Sequence, residues 1–372
     1  MLGKHVELLS GYAFKSKEFN DTGLGVPVVR IRDVGKEKSE TFYDGEYSDD
    51  YLLDNGDLLI GMDGDFRLAE WKGGKALLNQ RVCKITPKDS SLDRVYMYYM
   101  LPRELKRIED TTSFATVKHL SVKKINNIEI PLPPLDQQKK IAAILDAADA
   151  YRQKTKALIT KYNELTQSLF LDMFGDLLES NNSLITLEEL CGKGKYGSGA
   201  SAIEFTEGSP RYIRITDINQ DGSLNDKVVS PDELDIQYLL GKNDIVFARS
   251  GATVGKTYLY DEKDGDLVYA GYLIKFKIPE PYNAKYFFHF TKTEKYKAWV
   301  KNQQNVVAQP NINAKQYGNE LKIPVPPLDL QNQFAERVQA IEAQKAQVHT
   351  SLVQAEDLFN SLLQRAFKGE LV

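Results

Sequence analysis

The stretch "IPLPPLDQQKKIAAIL", Ile130–Leu145, opens with letters that return as "IPVPPLDLQ", Ile323–Gln331, 193 positions further on. Prolines at 131, 133 and 134 fix φ and remove backbone donors, so the stretch reads as a stiff, extended exit from a domain. The residues beyond it read as helical. Ile141, Ile144, Ala148, Tyr151, Leu158, Tyr162, Leu165 and Leu169 form one apolar stripe, with Lys139, Lys140, Arg152, Lys154 and Lys161 off it. The sevens from Ile141 through Ala148, Thr155, Tyr162 and Leu169 predict a helix paired along its length with another. After the second proline motif Phe334, Val338, Ile341, Val348, Leu352, Ala355, Leu358 and Leu362 draw a similar stripe. "SLFLDMF" from Ser168 also matches "SLLQRAF" from Ser361 at the same offset. Proline exit plus long helix is therefore a unit used twice, each helix about 40 residues and roughly 60 Å long.

The segments ahead of these helices also correspond. "VVRIRDV" from Val28 aligns with "YIRITDI" from Tyr212, "NGDLLIGMDG" from Asn55 with "KNDIVFARSG" from Lys242, and "VYMYYML" from Val95 with "KYFFHFT" from Lys285. Both copies consist of short β-like runs broken by Gly, Asn and Asp, with one aromatic helix-like segment. The predicted fold class is α+β, with two globular domains (1–134 and 179–327) and two long helices (135–178 and 328–372). The helices are expected to run antiparallel as a coiled coil, giving a pseudo-twofold internal repeat. A period near 190 residues is a duplicated module, because solenoid periods lie at about 20–50.

Composition narrows the class. The 372 residues are 42% hydrophobic, too many for one ordinary domain. No apolar run approaches the roughly 20 residues of a membrane helix, and "MLGKHVELLS" lacks a signal-peptide core. A cytoplasmic protein with no membrane association is expected. Two cysteines, Cys83 and Cys191, and four scattered histidines make a disulfide framework or a metal site unexpected. The net charge of −4 argues against a generic nucleic-acid binder, although a basic groove on one face fits inside an acidic total. Two related ends held apart suit a bipartite, asymmetric target, and successive sites on one face of duplex DNA lie about 34–36 Å apart.

The order and duplication of "SGYAFKS" (Ser10–Ser16), "VRIRDV" (Val29–Val34), "IRITDIN" (Ile213–Asn219), "ARSGATVGK" (Ala248–Lys256) and the two proline motifs resemble the specificity subunit of Type I restriction and modification systems. The resemblance covers essentially the whole chain. It implies two target-recognition domains that each read a DNA half-site. It also implies helices that dock two methyltransferase subunits, with room for an ATP-dependent restriction subunit. S-adenosylmethionine would belong to the partner methyltransferase, this chain binding no cofactor and performing no catalysis. Neither an Asn-Pro-Pro-aromatic methyltransferase motif nor a convincing glycine-rich cofactor loop is present in the sequence. In the second copy "NQFAERV" stands where the first reads "KKIAAIL", a departure within the docking segment.

Candidate DNA contacts are chosen by side-chain chemistry. Arg30 and Arg32 alternate with Val29 and Ile31 in a strand-like run, and Arg214 sits in the matching run. Arg reads guanine edges in a bidentate fork, although an internal ion pair with Asp33 explains the first pair equally well. Asn79, Gln80 and Arg81 offer two amides and a guanidinium. Lys118 and His119 suit phosphates and equally suit a solvated loop, and Lys15 and Ser16 are DNA-contact candidates from the family-like stretch "SGYAFKS". Gln309 and Asn311 in "AQPNIN" carry the same chemistry. In "SGATVGKT" only three residues separate Gly251 from the Gly255–Lys256 pair, where a Walker A loop needs four, so it reads as a strand-connecting turn. On the family reading it presents Arg249, Ser250, Thr253 and Lys256 to DNA. The docking candidates are Gln138, Ile141 and Leu145 on the first helix and Gln331, Phe334 and Val338 on the second. His289, within "KYFFHF", reads as a packing residue. The rival reading is a coiled-coil adaptor that bridges two proteins without touching DNA.

Overall fold

The computed structural model describes residues 1–112, 118–180, 184–304 and 310–371. The chain divides into two compact units, Met1–Lys154 with Ser351–Val372 (unit 1) and Thr155–Thr350 (unit 2). The α-helices in chain order are α1 (Arg94–Thr111), α2 (Val122–Asn126), α3 (Leu135–Glu179), α4 (Leu187–Cys191), α5 (Ala284–Phe290), α6 (Glu294–Gln304), α7 (Ala314–Glu320) and α8 (Leu328–Lys368).

Unit 1 is built on an antiparallel sheet in the order Val6–Ser10, Val82–Pro87, Leu58–Gly61, Leu68–Glu70. The run "LLIG" is apolar throughout because the strand is covered on both faces. A second sheet pairs Val26–Val29 in parallel with Ala76–Leu78. The aromatic segment is helix α1. Asp93 caps it by accepting from the Val95 and Tyr96 N–H groups at 3.0 and 2.8 Å. Tyr96, Met97 and Met100 then meet Leu58, Ile60 and Ile85 in the core.

Unit 2 repeats this frame. Lys195–Tyr196, Leu273–Lys277, Asp244–Ala248 and Thr257–Leu259 form an antiparallel sheet in the corresponding order. Arg211–Ile213 pairs in parallel with Leu267–Tyr269, as the second sheet does in unit 1. Asn283 caps α5, the counterpart of α1, which buries Tyr286, Phe287 and Phe290. The two tyrosine hydroxyls make matching bonds: Tyr96 donates to Pro131 O at 2.8 Å and Tyr286 to Pro324 O at 2.7 Å. Each proline exit is thereby fastened to its own aromatic helix.

Within each unit the early part of one long helix meets the late part of the other. In unit 1 Ile141, Ala142, Leu145 and Ala148 share the core with Phe359 and Ala366, and the Arg152 guanidinium lies 4.3 Å over the Phe359 ring. In unit 2 Phe334 lies 5.5 Å from Phe174, while Thr166 and Lys345 border one groove, so these segments run antiparallel.

One expectation is corrected. The run from Val28 is a strand only as far as Val29. The Asp33 carboxylate accepts from the Arg30 N–H at 3.1 Å and closes a 3-10 turn over Ile31–Asp33, which takes Arg30 and Arg32 off the ladder. In unit 2 Asp217 accepts from the Arg214 N–H at 2.9 Å, after the strand has ended at Ile213.

Candidate nucleic-acid interface

Beyond the end of strand Leu58–Gly61 three segments distant in sequence are stitched together. Met62 N–H donates to Arg81 O at 2.8 Å, Leu120 N–H to Met62 O at 2.7 Å and Gly64 N–H to Lys118 O at 3.0 Å. Unit 2 builds the same junction beyond Ala248. There Arg249 N–H donates to Tyr272 O at 3.1 Å, Ile312 N–H to Arg249 O at 2.8 Å and Gly251 N–H to Pro310 O at 3.1 Å. The backbone frame is common, and the side chains it displays are not.

In unit 1 Arg81 sits at φ +70, in the left-handed region where non-glycine residues are uncommon. Its Nε lies 3.2 Å from Asp63 Oδ2, and His119 Nδ1 lies 2.6 Å from Asp63 Oδ1. Asp63 is 15% exposed, while the Arg81 and His119 side chains are each 65% exposed. Exposed ion pairs add about 0–1 kcal/mol to stability. The arrangement therefore matters for aim: one shielded carboxylate fixes the direction of two exposed side chains. Arg32 and Arg67 line a hollow of about 260 Å³ together with Asp63, and Arg32 Nη2 donates to Thr41 Oγ1 at 2.8 Å. Lys15, Ser16 and Gln80 are exposed on adjoining loops, since Gln80 N–H donates to Tyr12 O at 2.8 Å. Lys118 joins the cluster through its carbonyl. Arg30 stands apart, its guanidinium 5.9 Å over Phe19.

In unit 2 the Arg249 guanidinium lies 4.9 Å over the Tyr196 ring, and its Nε donates to Asn311 Oδ1 at 3.3 Å. Tyr196 and Tyr272, 42% and 61% exposed, complete an aromatic and cationic face. Thr253 Oγ1 donates to Ser250 O at 3.1 Å inside the 3-10 turn Gly251–Thr253. That turn leads into strand Thr257–Leu259, where a phosphate-binding loop leads into a helix.

Several candidates do not face outward. Asn79 is buried beside the strand pairing and its Oδ1 has no hydrogen-bond partner, so it cannot read a base edge in this conformation. Arg214 forks onto buried Asp217 with both contacts at 2.9 Å, which raises its pKa and occupies the face that would grip guanine. Lys256 Nζ donates to Ile218 O at 2.9 Å. Gln309 lies outside the described residues. Sequence reasoning missed Asp63, Arg67, Tyr196 and Tyr272. The signal for Asp63 was present, since it occupies the place of Ser250 in the aligned "NGDLLIGMDG" and "KNDIVFARSG".

The six docking candidates also need correction. Gln138, Ile141, Leu145, Gln331, Phe334 and Val338 are all buried within their own units. Gln138 Oε1 accepts from Asp93 N–H at 2.8 Å, and its Nε2 donates to Ser91 O at 2.9 Å and Pro133 O at 2.8 Å. Gln331 does the same work with Asn283 N–H at 3.0 Å and Pro326 O at 2.9 Å. The repeated "PPLDxQ" motif is a clamp between proline exit, helix cap and long helix. On α3 the exposed large apolar side chains are Ile144 and Tyr151 in unit 1 and Leu158, Leu165 and Leu171 in unit 2. Among the described residues there is no cluster of three or more metal-ligating side chains and no helix long and apolar enough to cross a membrane.

A frame built twice, ending each time in a differently furnished polar junction and footed on long helices, defines a tandem recognition scaffold. The chain belongs to the Type I restriction modification DNA specificity domain family, whose model matches residues 2–167 and 173–355. It is 32% identical over 98% of its length to the Type I restriction enzyme EcoBI specificity subunit of Escherichia coli, covering 84% of that protein. It is 26% identical over 90% of its length to the MjaVIII specificity subunit of Methanocaldococcus jannaschii, covering 80% of that protein. The fold matches that of the S subunit of a Type I restriction-modification system from M. genitalium. There the TM-score is 0.55 at 17% identity, over 98% of this chain and 94% of the other.

Proposed function

We propose that this chain is the DNA sequence-specificity subunit of a Type I restriction-modification complex. Each unit reads one half of a bipartite, gapped site in double-stranded DNA. The observation that carries this is the shared junction with unlike side chains: Asp63, Arg81 and His119 in one unit, Arg249, Asn311 and Tyr196 in the other. A common frame with different donors is what two unequal half-sites require, because base identity is read by the pattern of donors and acceptors at the groove edge. Lys15, Ser16, Gln80, Arg32, Ser250 and Thr253 are assigned to the surrounding backbone and groove contacts.

On this reading the chain has no catalytic role. It works in the cytoplasm with two methyltransferase subunits that carry S-adenosylmethionine, and an ATP-dependent restriction subunit joins where cleavage occurs. Docking uses the apolar side chains that each unit leaves exposed on α3, since the residues first assigned to it are buried. Because a methyltransferase cannot reach adenine inside the stack, the complex holds the duplex while the base is flipped. The test is methyl-adenine sequencing of DNA from cells expressing the methyltransferase with this chain, with Arg81→Ala, with Arg249→Ala, and without it. The expected result is a bipartite motif present only with the chain, Arg81→Ala relaxing one half and Arg249→Ala the other. Methylation that does not depend on the chain, with partner binding intact and no salt-dependent DNA binding by the assembled complex, favours the adaptor.

A further inference from the structure

The two units carry corresponding grooves, balanced in charge in unit 1 and strongly positive in unit 2. In unit 1 a groove of about 560 Å³ is lined by four cationic and four acidic residues, among them Arg67, Arg94, Glu70 and Asp149. These groups satisfy one another: Arg94 lies 3.5 Å from Glu70, and Tyr99 OH donates to Asp146 at 2.7 Å. In unit 2 the groove is about 840 Å³ and is lined by five lysines against two carboxylates, Asp221 and Glu342. Lys256 stands where Arg67 stands in unit 1, since the carbonyls of both accept the N–H at a strand end (Ala248 and Gly61).

Both carboxylates are already engaged, Asp221 with Lys345 at 3.5 Å and Glu342 with Lys285 at 2.9 Å. Lys292, half-buried in the wall, reaches neutral groups among the described residues: Thr257 O at 3.2 Å, Thr257 Oγ1 at 3.1 Å and the Phe288 ring face at 4.5 Å. Burial pushes its pKa down to about 7, Asp221 opposing the shift and Lys297 and Lys256 adding to it. His289, on the same wall, has a buried Nε2 with no hydrogen-bond partner. A buried donor or acceptor left unpaired is costly, and Lys292, held by Thr257 and the Phe288 ring, lines the same groove.

We propose that the unit 2 groove binds a small phosphate-bearing molecule, its anionic oxygens received by the positive wall that Lys256, Lys292 and Lys301 form with His289 beside them. The volume is that of a small-molecule site. Lys292 lies within the concavity, where a compact free phosphate reaches it more readily than the backbone of a rigid duplex does.

The test uses pyridoxal 5′-phosphate as probe on the full chain. Its aldehyde condenses with a neutral amine, releasing water, and borohydride reduces the imine to a stable secondary amine that peptide mass spectrometry locates. At about pH 7.5 Lys292 should be the dominant lysine labelled, because burial lowers its pKa to about 7 and leaves much of it as the reactive neutral amine. Inorganic pyrophosphate should reduce that labelling by about tenfold, and pyridoxal without the phosphate should label about tenfold less. In equilibrium dialysis Lys292→Met should lose pyrophosphate binding and Lys292→Arg should keep it, with circular dichroism confirming that both are folded. Equal labelling by pyridoxal, or no protection by pyrophosphate, overturns the proposal. Protection by duplex DNA but not by pyrophosphate assigns the groove to the nucleic-acid backbone and overturns it equally.

Discussion

Replacing Gln138 by Met keeps the volume and removes three hydrogen bonds, leaving Asp93 N–H, Ser91 O and Pro133 O without their side-chain partner in a site with no solvent exposure. Each net hydrogen bond contributes about 1 kcal/mol, so the loss is about 3 kcal/mol. Gln331→Met removes two such bonds in unit 2 and should cost about 2 kcal/mol. The two units provide internal controls for each other. In hydrogen exchange monitored by mass spectrometry, the slowest amides of α1 should lose protection by roughly 150-fold in Gln138→Met, an equilibrium factor equivalent to about 3 kcal/mol. Those of α5 should hold. Gln331→Met should show the reverse, with a smaller loss in α5. The clamp argument fails if Gln138→Met leaves α1 protection unchanged while methyltransferase binding disappears, because that is the behaviour of a docking residue.

Asp63→Asn removes the charge that aims Arg81 and His119. Binding of the assembled complex to its site, tracked by fluorescence anisotropy, should weaken by about 1–3 kcal/mol, with tolerance for base changes in one half-site only. Gly11→Ala and Gly197→Ala should each destabilise their own unit by about 1–3 kcal/mol in urea unfolding. The new Cβ atoms would lie 2.1 Å from Asn79 O and 2.3 Å from Ala270 O. Lys292 gives a pH signature. Its folded pKa, about 7, is below the unfolded value, so between pH 7 and about 10.4 the unfolded state binds more protons and stability rises with pH. Lys292→Met should lack that rise in melts across the window, and at pH 7 it should be the more stable form.

The repeat was legible because its strongest markers are backbone devices. Prolines, heptads and the Gly-Asp turn chemistry state their geometry locally, and the structure repeats the sheet order and the parallel pairing in both units. The start of the second copy was harder to read, since "SGYAFKS" and "KYGSGAS" share little beyond one glycine. That glycine is the relevant letter. Gly11 donates to Val82 O at 2.9 Å and Gly197 to Leu273 O at 3.2 Å, each passing so close to a neighbouring chain that no side chain fits. Site residues were legible by type and not by direction. Arg81 and Arg214 look alike in sequence. A buried carboxylate three residues on turns Arg214 inward, and Asp63, eighteen positions before Arg81, leaves it exposed. The docking residues differ for a related reason: the stripe read from Ile141 is wider than the face that packs inside the unit, so Ile141, Leu145 and Ala148 are buried while Ile144 and Tyr151 of the same stripe stay exposed.

Unit 1 is not continuous along the chain. Its core takes Phe359 and Ala366 of α8, after nearly two hundred residues that belong to unit 2. During synthesis the early residues therefore wait on the ribosome with the apolar faces of Leu145 and Ala148 incompletely covered, until the segment beyond Thr350 has emerged. A polypeptide ending near Thr350 would keep all of unit 2 and lack the α8 side chains that cover Leu145 and Ala148 in unit 1. The portion made first therefore completes its core only when the last helical turns of α8 have been made.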